Sequence, residues 1–253
     1  AGQLLLEARR IESSLKSSSL NAKAIFDAYI QADQPWCLLD TYHRQMERRW
    51  HDFDTSLHDC RDSLDQLVNA ARSRYMQVGG DLAEAFVRSF QKAKFRLPNV
   101  LLQREIFERQ VKPNLEGQKT AYIWVDALRY EMARELAQTL KADYELEIQA
   151  AIATVPTITE IGMAALLPGA DAAAEVVQVG PSKLGLKISD TLIKDREGRV
   201  KFLQTTTQSI IGQSCFAAKL HDLLPKPKKK IQDGIQGATL ILITSQEIDD
   251  IGE

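Results

Sequence analysis

From Ala1 to about residue 115 the apolar positions recur every three or four residues, which is the spacing of a helix face. Trp50, Phe53, Leu57, Leu64, Leu67, Ala71 and Tyr75 make the longest such stripe, with Arg and Asp on the opposite side. Gly79-Gly80 predicts a break, after which Asp81 caps a shorter helix carrying Leu82, Phe86 and Phe90. Pro98 closes that stretch, and a further helix is predicted near Leu101 to Val111, leading into Pro113. Residues 1–116 therefore read as a helix bundle or helical arm.

The period changes after Gly117. AYIWVD is short, apolar and rich in aromatic and β-branched residues, as in a buried strand. Leu128 to Leu140 carries Met132, Leu136 and Leu140 at helical spacing. Tyr144, Leu146 and Ile148 alternate, which predicts a second strand. PTIT then leads into the helical EIGMAALL, and TLILIT is another fully buried strand. Alternating strands and helices predict an α/β domain with a mostly parallel sheet over 117–253. Between Gly169 and Gly237 the pattern weakens to short strands and turns over 170–200 and a helix over Gln208 to Leu223. PKPKKK, from Pro225 to Lys230, is a solvated basic connector.

Composition bounds this picture without sharpening it. The 253 residues are 44% apolar and 26% charged, enough for a sizeable core. A formal net charge of -2 leaves any phosphate-binding surface to be local. Cys37, Cys60 and Cys215 form no CxxC pair or disulfide framework, which suits a reducing cytoplasm. No apolar run reaches membrane-spanning length, so no membrane association is expected. The chain opens mid-helix without Met and closes directly after a strand, so it is expected to be part of a longer protein.

Ligands of open α/β sheets gather beyond the carboxyl ends of the strands. Asp126 closes YIWV, Thr157 and Thr159 follow the predicted 144–148 strand, and Glu247, Asp249, Asp250 and Glu253 follow TLILIT. Carboxylates with a hydroxyl suit a divalent-metal site. Thr159 takes the N-cap position of the next predicted helix, where a phosphate would meet free backbone N–H groups, those of Glu160 and Ile161 among them. Each feature by itself is also what a turn, a cap or a solvated loop looks like; their order along the chain is what points to a site.

VDALRYEM, TVPTITEIGMAALLPG and SQEIDDIGE, in this order, resemble the PglZ family of BREX-type phage-resistance systems, over about residues 117–253. That family is similar to the alkaline-phosphatase superfamily, including nucleotide pyrophosphatase/phosphodiesterases. The resemblance implies an alkaline-phosphatase-like, mostly parallel sheet, of which this chain holds the first part. It implies a metal-dependent phosphohydrolase or phosphodiesterase acting on a nucleic-acid or nucleotide phosphodiester. Thr159 is the implied nucleophile and Thr157 the runner-up. Two divalent metals are implied, zinc first and manganese or magnesium as alternatives, on Asp126, Thr159, Asp249 and Glu253. Glu253 departs from the family pattern, since it stands where a His ligand is expected. The Asp-His pair and later His that complete such sites are absent from the sequence, and His43, His51, His58 and His221 do not fit the role, so these residues by themselves are expected to be inactive. Implied partners are the other BREX proteins, such as methyltransferase and ATPase components, with DNA or a nucleotide as ligand.

Two other classes stay open. One is a non-catalytic scaffold that binds partners through its amphipathic helices. The other is a DNA-binding subunit that uses Arg44, Arg48, Arg49, Arg72 and Arg74.

Overall fold

The computed structural model describes residues 1–17, 20–53 and 61–252. Leu57, His58, Cys60 and Glu253 lie outside these residues. Two compact units share the chain, and neither is one continuous stretch: Ala1–Asn99 with Arg129–Ala150, and Val100–Leu128 with Ala151–Glu253. The division differs from the expected boundary at 116/117. Phe107, Val111 and Leu115 join the apolar core that holds Tyr122 and Trp124, which takes residues 100–116 into the second unit. Residues 129–150 belong to the first: the Tyr130 hydroxyl donates to the Ile30 carbonyl (3.3 Å), and Arg44 and Gln45 both donate to Glu135. Among the described residues no helix is long and apolar enough to cross a membrane.

The first unit is helical: α1 (Gly2–Ser17), α2 (Ala22–Ile30), α3 (Leu38–His51), α4 (Arg61–Lys92) and α5 (Tyr130–Leu140). Leu4, Ala8 and Ile11 of α1 follow the helical repeat and are fully buried, against Ile25, Leu39, Val68, Ala71 and Val78. Asn21 caps α2 by accepting from the Ala24 amide (2.8 Å). The break predicted at Gly79-Gly80 is absent, and α4 runs through it for 32 residues. Each glycine costs about 1 kcal/mol against alanine in a helix. Burial of Val78 and Leu82 on either side outweighs that cost. Polar contacts tie the helices together. Asp40 accepts from the Tyr29 and Tyr75 hydroxyls, each at 2.8 Å, and so joins α2, α3 and α4. The His43 ring stacks on Tyr75, with centroids 3.8 Å apart.

The second unit holds β1 (Leu101–Leu102), β2 (Thr120–Val125), β3 (Ala151–Ile152), β4 (Ala174–Gly180), β5 (Lys183–Ile188), β6 (Thr191–Ile193), β7 (Cys215–Lys219) and β8 (Leu240–Ser245). Its helices are α6 (Thr159–Gly162), α7 (Ala170–Ala173), α8 (Arg196–Thr206), α9 (Lys229–Gly237) and α10 (Glu247–Gly252). The main sheet is parallel, in the order β2-β8-β7. Central β8 is buried on both faces, which explains its unbroken apolar run. Leu240 and Leu242 face the core of Phe107, Tyr122, Trp124 and Ile161. Ile241 and Ile243 face the opposite side, under Ile235 of α9. β4, β5 and β6 form an antiparallel sheet, and β1 pairs with β3 in parallel.

Two predicted elements differ. Tyr144, Leu146 and Ile148 form no strand; all three side chains are exposed, and the strand before the Thr157–Thr159 segment is β3 instead. Alternation makes a strand only where one face finds cover and an edge finds a partner. The helix predicted over Gln208–Leu223 is replaced by a π-turn at Thr207–Ile211, then β7. Residues Cys215–Lys219 pair with β8, and that ladder overrides the helix propensity of Ala217 and Ala218.

Removing the Asp40 carboxylate leaves two tyrosine hydroxyls without their acceptor. Asp40→Ala is expected to lower unfolding free energy by about 2 kcal/mol, and Asp40→Asn by less, measured by urea titration. Burial first, and then the Asp40 charge, push the Tyr75 phenol up to about 12. The folded state therefore holds a proton that the unfolded chain releases near pH ~10. Stability is expected to be level below that pH and to fall as the pH rises from there toward 12, as read from the denaturation midpoint.

Candidate functional site

The carboxyl ends of β2 and β8 lie side by side. Val125 is level with Ser245, and the Asp126 amide donates to the Ser245 carbonyl (2.9 Å), which carries the ladder one residue further. Asp126 is buried, and its Oδ1 accepts from the Ala127 amide at 3.0 Å. Ala127 then turns the chain with a left-handed φ of 57°. On the neighbouring strand end, the Ser245 hydroxyl donates to Glu247 Oε2, and this bond is the largest cause holding the Glu247 carboxyl below its ordinary range. Asp249 is half-buried and Asp250 exposed on α10, the helix that follows. His221 follows β7, and its charge reaches Glu247 as a lesser cause.

The threonine segment is braced from two sides. Gln103 Oε1 accepts from the Thr154 amide (2.9 Å), and the Tyr122 hydroxyl of β2 donates to the Leu166 carbonyl (3.1 Å). Thr159 is half-buried and Thr157 exposed. The N-cap assignment of Thr159 is corrected: extended Ile158 holds that position, and Thr159 is the first residue of a single helical turn. So short a helix sums few peptide dipoles, and the expected dipole stabilisation of a phosphate falls away. The Ile161 amide is also taken, by the Ile158 carbonyl at 3.1 Å. Among the described residues the amides of Thr159 and Glu160 and the Thr159 hydroxyl have no hydrogen-bond partner.

Two arginines that the sequence did not single out enter here from α8. Asp195 caps this helix by accepting from the Gly198 amide (2.7 Å). Arg196 Nε donates to the hydroxyl of Thr244, near the end of β8, at 3.0 Å. Arg199 is buried, and its Nε has no hydrogen-bond partner among the described residues. Burial lowers its pKa, while the charges of Asp126, Glu160 and Asp195 act in the opposite sense. Arg199 thus feels the charges of Asp126 at the β2 end and of Glu160 in α6. The sequence pattern predicts strands and turns up to residue 200 where α8 stands, and nothing in it marks these arginines as belonging to the strand ends.

Among the described residues no three His, Cys, Asp or Glu side chains gather closely enough to hold a metal ion. Asp126 at the end of β2 and Asp249 on α10 belong to no such group, and Glu253 lies outside the described residues.

Residues 106–253 match the family model described as the BREX system PglZ alkaline phosphatase-like domain. The chain belongs to the PglZ family. Its parallel sheet is that of an alkaline-phosphatase-like domain, and the helical unit holds most of the chain before it. Over 204 residues it is 26% identical to the alkaline phosphatase-like protein BrxZ of Escherichia coli O9:H4 (strain HS), a match covering 76% of this chain. The chain spans 22% of that relative's length. The family model begins within the second unit, which opens at Val100.

Tyr122 ties the segment after Thr159 to the sheet. Tyr122→Phe is expected to cost about 1 kcal/mol, because it leaves the Leu166 carbonyl unpaired. It should also speed hydrogen exchange at Met163 and Leu167. Unchanged stability and exchange would remove Tyr122 as the anchor.

Proposed function

We propose that this chain supplies the nucleophile and the first metal-binding positions of a phosphohydrolase in a BREX phage-defence system, acting on a nucleic-acid or nucleotide phosphodiester. One observation carries the proposal. Half-buried Thr159, whose hydroxyl and amide are unpartnered among the described residues together with the Glu160 amide, lies in the segment whose Glu160 charge, like that of Asp126 at the end of β2, acts on buried Arg199. Thr159 Oγ1 attacks phosphorus, the bond to the leaving alcohol breaks, and that alcohol takes up a proton. Water then cleaves the phosphothreonine and restores the hydroxyl. The unpartnered amides of Thr159 and Glu160 would be free to donate to the charge that develops. Asp126 and Thr159 would hold one divalent cation, and Asp249 with Glu253 another; zinc is the first choice, with manganese or magnesium as alternatives. A bound cation would lower the hydroxyl pKa. The remaining ligands would come from beyond the described residues. The partners are the other BREX proteins, methyltransferase and ATPase components among them, in the cytoplasm.

A scaffold role draws support from the absence of any three gathered ligands among the described residues. Direct DNA binding through the helical unit draws less. Arg44, Arg72 and Arg74 are engaged by Glu135, Glu47 and Glu12, which leaves Arg48 and Arg49 as the exposed members of that set.

In the full-length protein, Thr159→Ala is expected to reduce hydrolysis of bis-p-nitrophenyl phosphate with added Zn²⁺ or Mn²⁺ by roughly three orders of magnitude. Thr157→Ala should retain most activity, and wild-type turnover by Thr159→Ala would sink the nucleophile assignment. Asp126→Ala and Asp249→Ala should each lower bound metal by elemental analysis; unchanged stoichiometry in both would leave the scaffold reading.

A further inference from the structure

The helical unit carries an apolar groove of about 290 Å³. Leu4 of α1, Met46 and Trp50 of α3, Phe53, and Leu64 and Leu67 of α4 line it. Leu64, Leu67 and Val68 stand at i, i+3 and i+4 on α4, and Tyr42, Met46 and Trp50 follow one another at i, i+4 and i+8 on α3. These are the spacings against which another helix packs. Leu67 is 43% exposed, and the Trp50 and Phe53 rings stack with centroids 6.2 Å apart. Large flat side chains along a groove are what the anchors of a bound helix meet. The volume falls at the small end of the roughly 300–1,000 Å³ of small-molecule pockets, which suits anchor side chains better than a whole cofactor.

Charge selects the occupant. Arg49 lines the groove beside Gln45, and among the described residues no carboxylate does. The last turn of α3 carries Arg48, Arg49 and His51. Arg48 and Arg49 are exposed and make no hydrogen bond or ion pair among the described residues, whereas Arg44, Arg72 and Arg74 each meet a glutamate. Cations in a last turn also suit the helix dipole. The dipole accounts for their sign and leaves the uncovered apolar surface beside them unexplained. A second copy docking the same face would bring these arginines against their own counterparts, so like charge opposes an isologous dimer.

We propose that this groove docks an acidic amphipathic helix of a partner protein, which seats large apolar side chains against Trp50, Phe53 and Leu67 and sets carboxylates beside Arg48 and Arg49. Apolar burial supplies most of the affinity, and the arginines steer and select. Every residue of the surface belongs to the helical unit, so the inference does not rest on the phosphohydrolase reading above.

The test is fluorescence anisotropy of the full-length protein with a labelled synthetic helix that carries Trp and Leu at i and i+4 and Glu at the flanking positions. A twin with Lys in place of each Glu is the counter-probe. The Glu helix should bind saturably and the Lys twin at least about tenfold more weakly, a gap that added salt narrows. Leu67→Glu should weaken the Glu helix at least about tenfold. Arg48→Glu and Arg49→Glu should each weaken it several-fold, chiefly at low salt. All three positions are exposed, so the bundle core is left intact. Met76→Glu, on the same helix as Leu67 but outside the groove and 70% exposed, should leave binding unchanged. No saturable binding, equal binding of the two helices, or full affinity in Leu67→Glu would overturn the proposal. So would self-association of the protein that Leu67→Glu abolishes, since that gives the groove to a second copy.

Discussion

The parallel pairing of β2 with β8 is the constraint on which the rest of the second unit depends. Its register runs without a slip from Thr120 opposite Leu240 to Val125 opposite Ser245. A shift of one residue would turn Tyr122 and Trp124 out of the core and carry Asp126 away from Ser245. Burial of β8 on both faces opposes any such shift. Leu240 and Leu242 fill one core, and Ile241 and Ile243 fill the other. At roughly 1.5–3 kcal/mol for each buried side chain, the register is held by far more than the polar groups at its end could supply. The strand ends can therefore carry charge that contributes little to stability.

That charge is arranged differently in the two units. In the helical unit, carboxylates and guanidinium groups meet in contact pairs, and Asp40 is satisfied by two tyrosines. At the strand ends, Asp126 is buried with a backbone amide as its partner, and Arg199 is buried with no partner among the described residues. Opposite charges there act on one another without forming a contact pair.

The threonine segment takes its position from neighbours more than from its own helix. One turn at Thr159–Gly162 has little dipole to offer. Gln103 on one side and Tyr122 on the other fix the loop, and Ile161 anchors it in the core. Thr159 is thus set by the sheet it sits on, and its hydroxyl is left without a partner among the described residues.

The apolar runs AYIWV and TLILIT determined by themselves that two strands exist and where each ends, because continuous β-branched and aromatic runs favour strands; β8 is buried on both faces as expected, whereas β2 leaves Ala121 and Ile123 exposed. The order of VDALRYEM, TVPTITEIGMAALLPG and SQEIDDIGE likewise determined the family to which the chain belongs. Tertiary structure decided the rest. The Tyr144–Ile148 alternation found no cover, the Gly79-Gly80 pair was carried inside a packed helix, and residues 100–116 and 129–150 exchanged units. It also decided which charges stand together. Arg196 and Arg199 follow Asp126 by 70 and 73 positions, yet the folding of α8 brings Arg196 to the β8 end and Arg199 within reach of the Asp126 charge. Local pattern records what one segment can bury, whereas a charge is placed by whatever distant segment packs beside it.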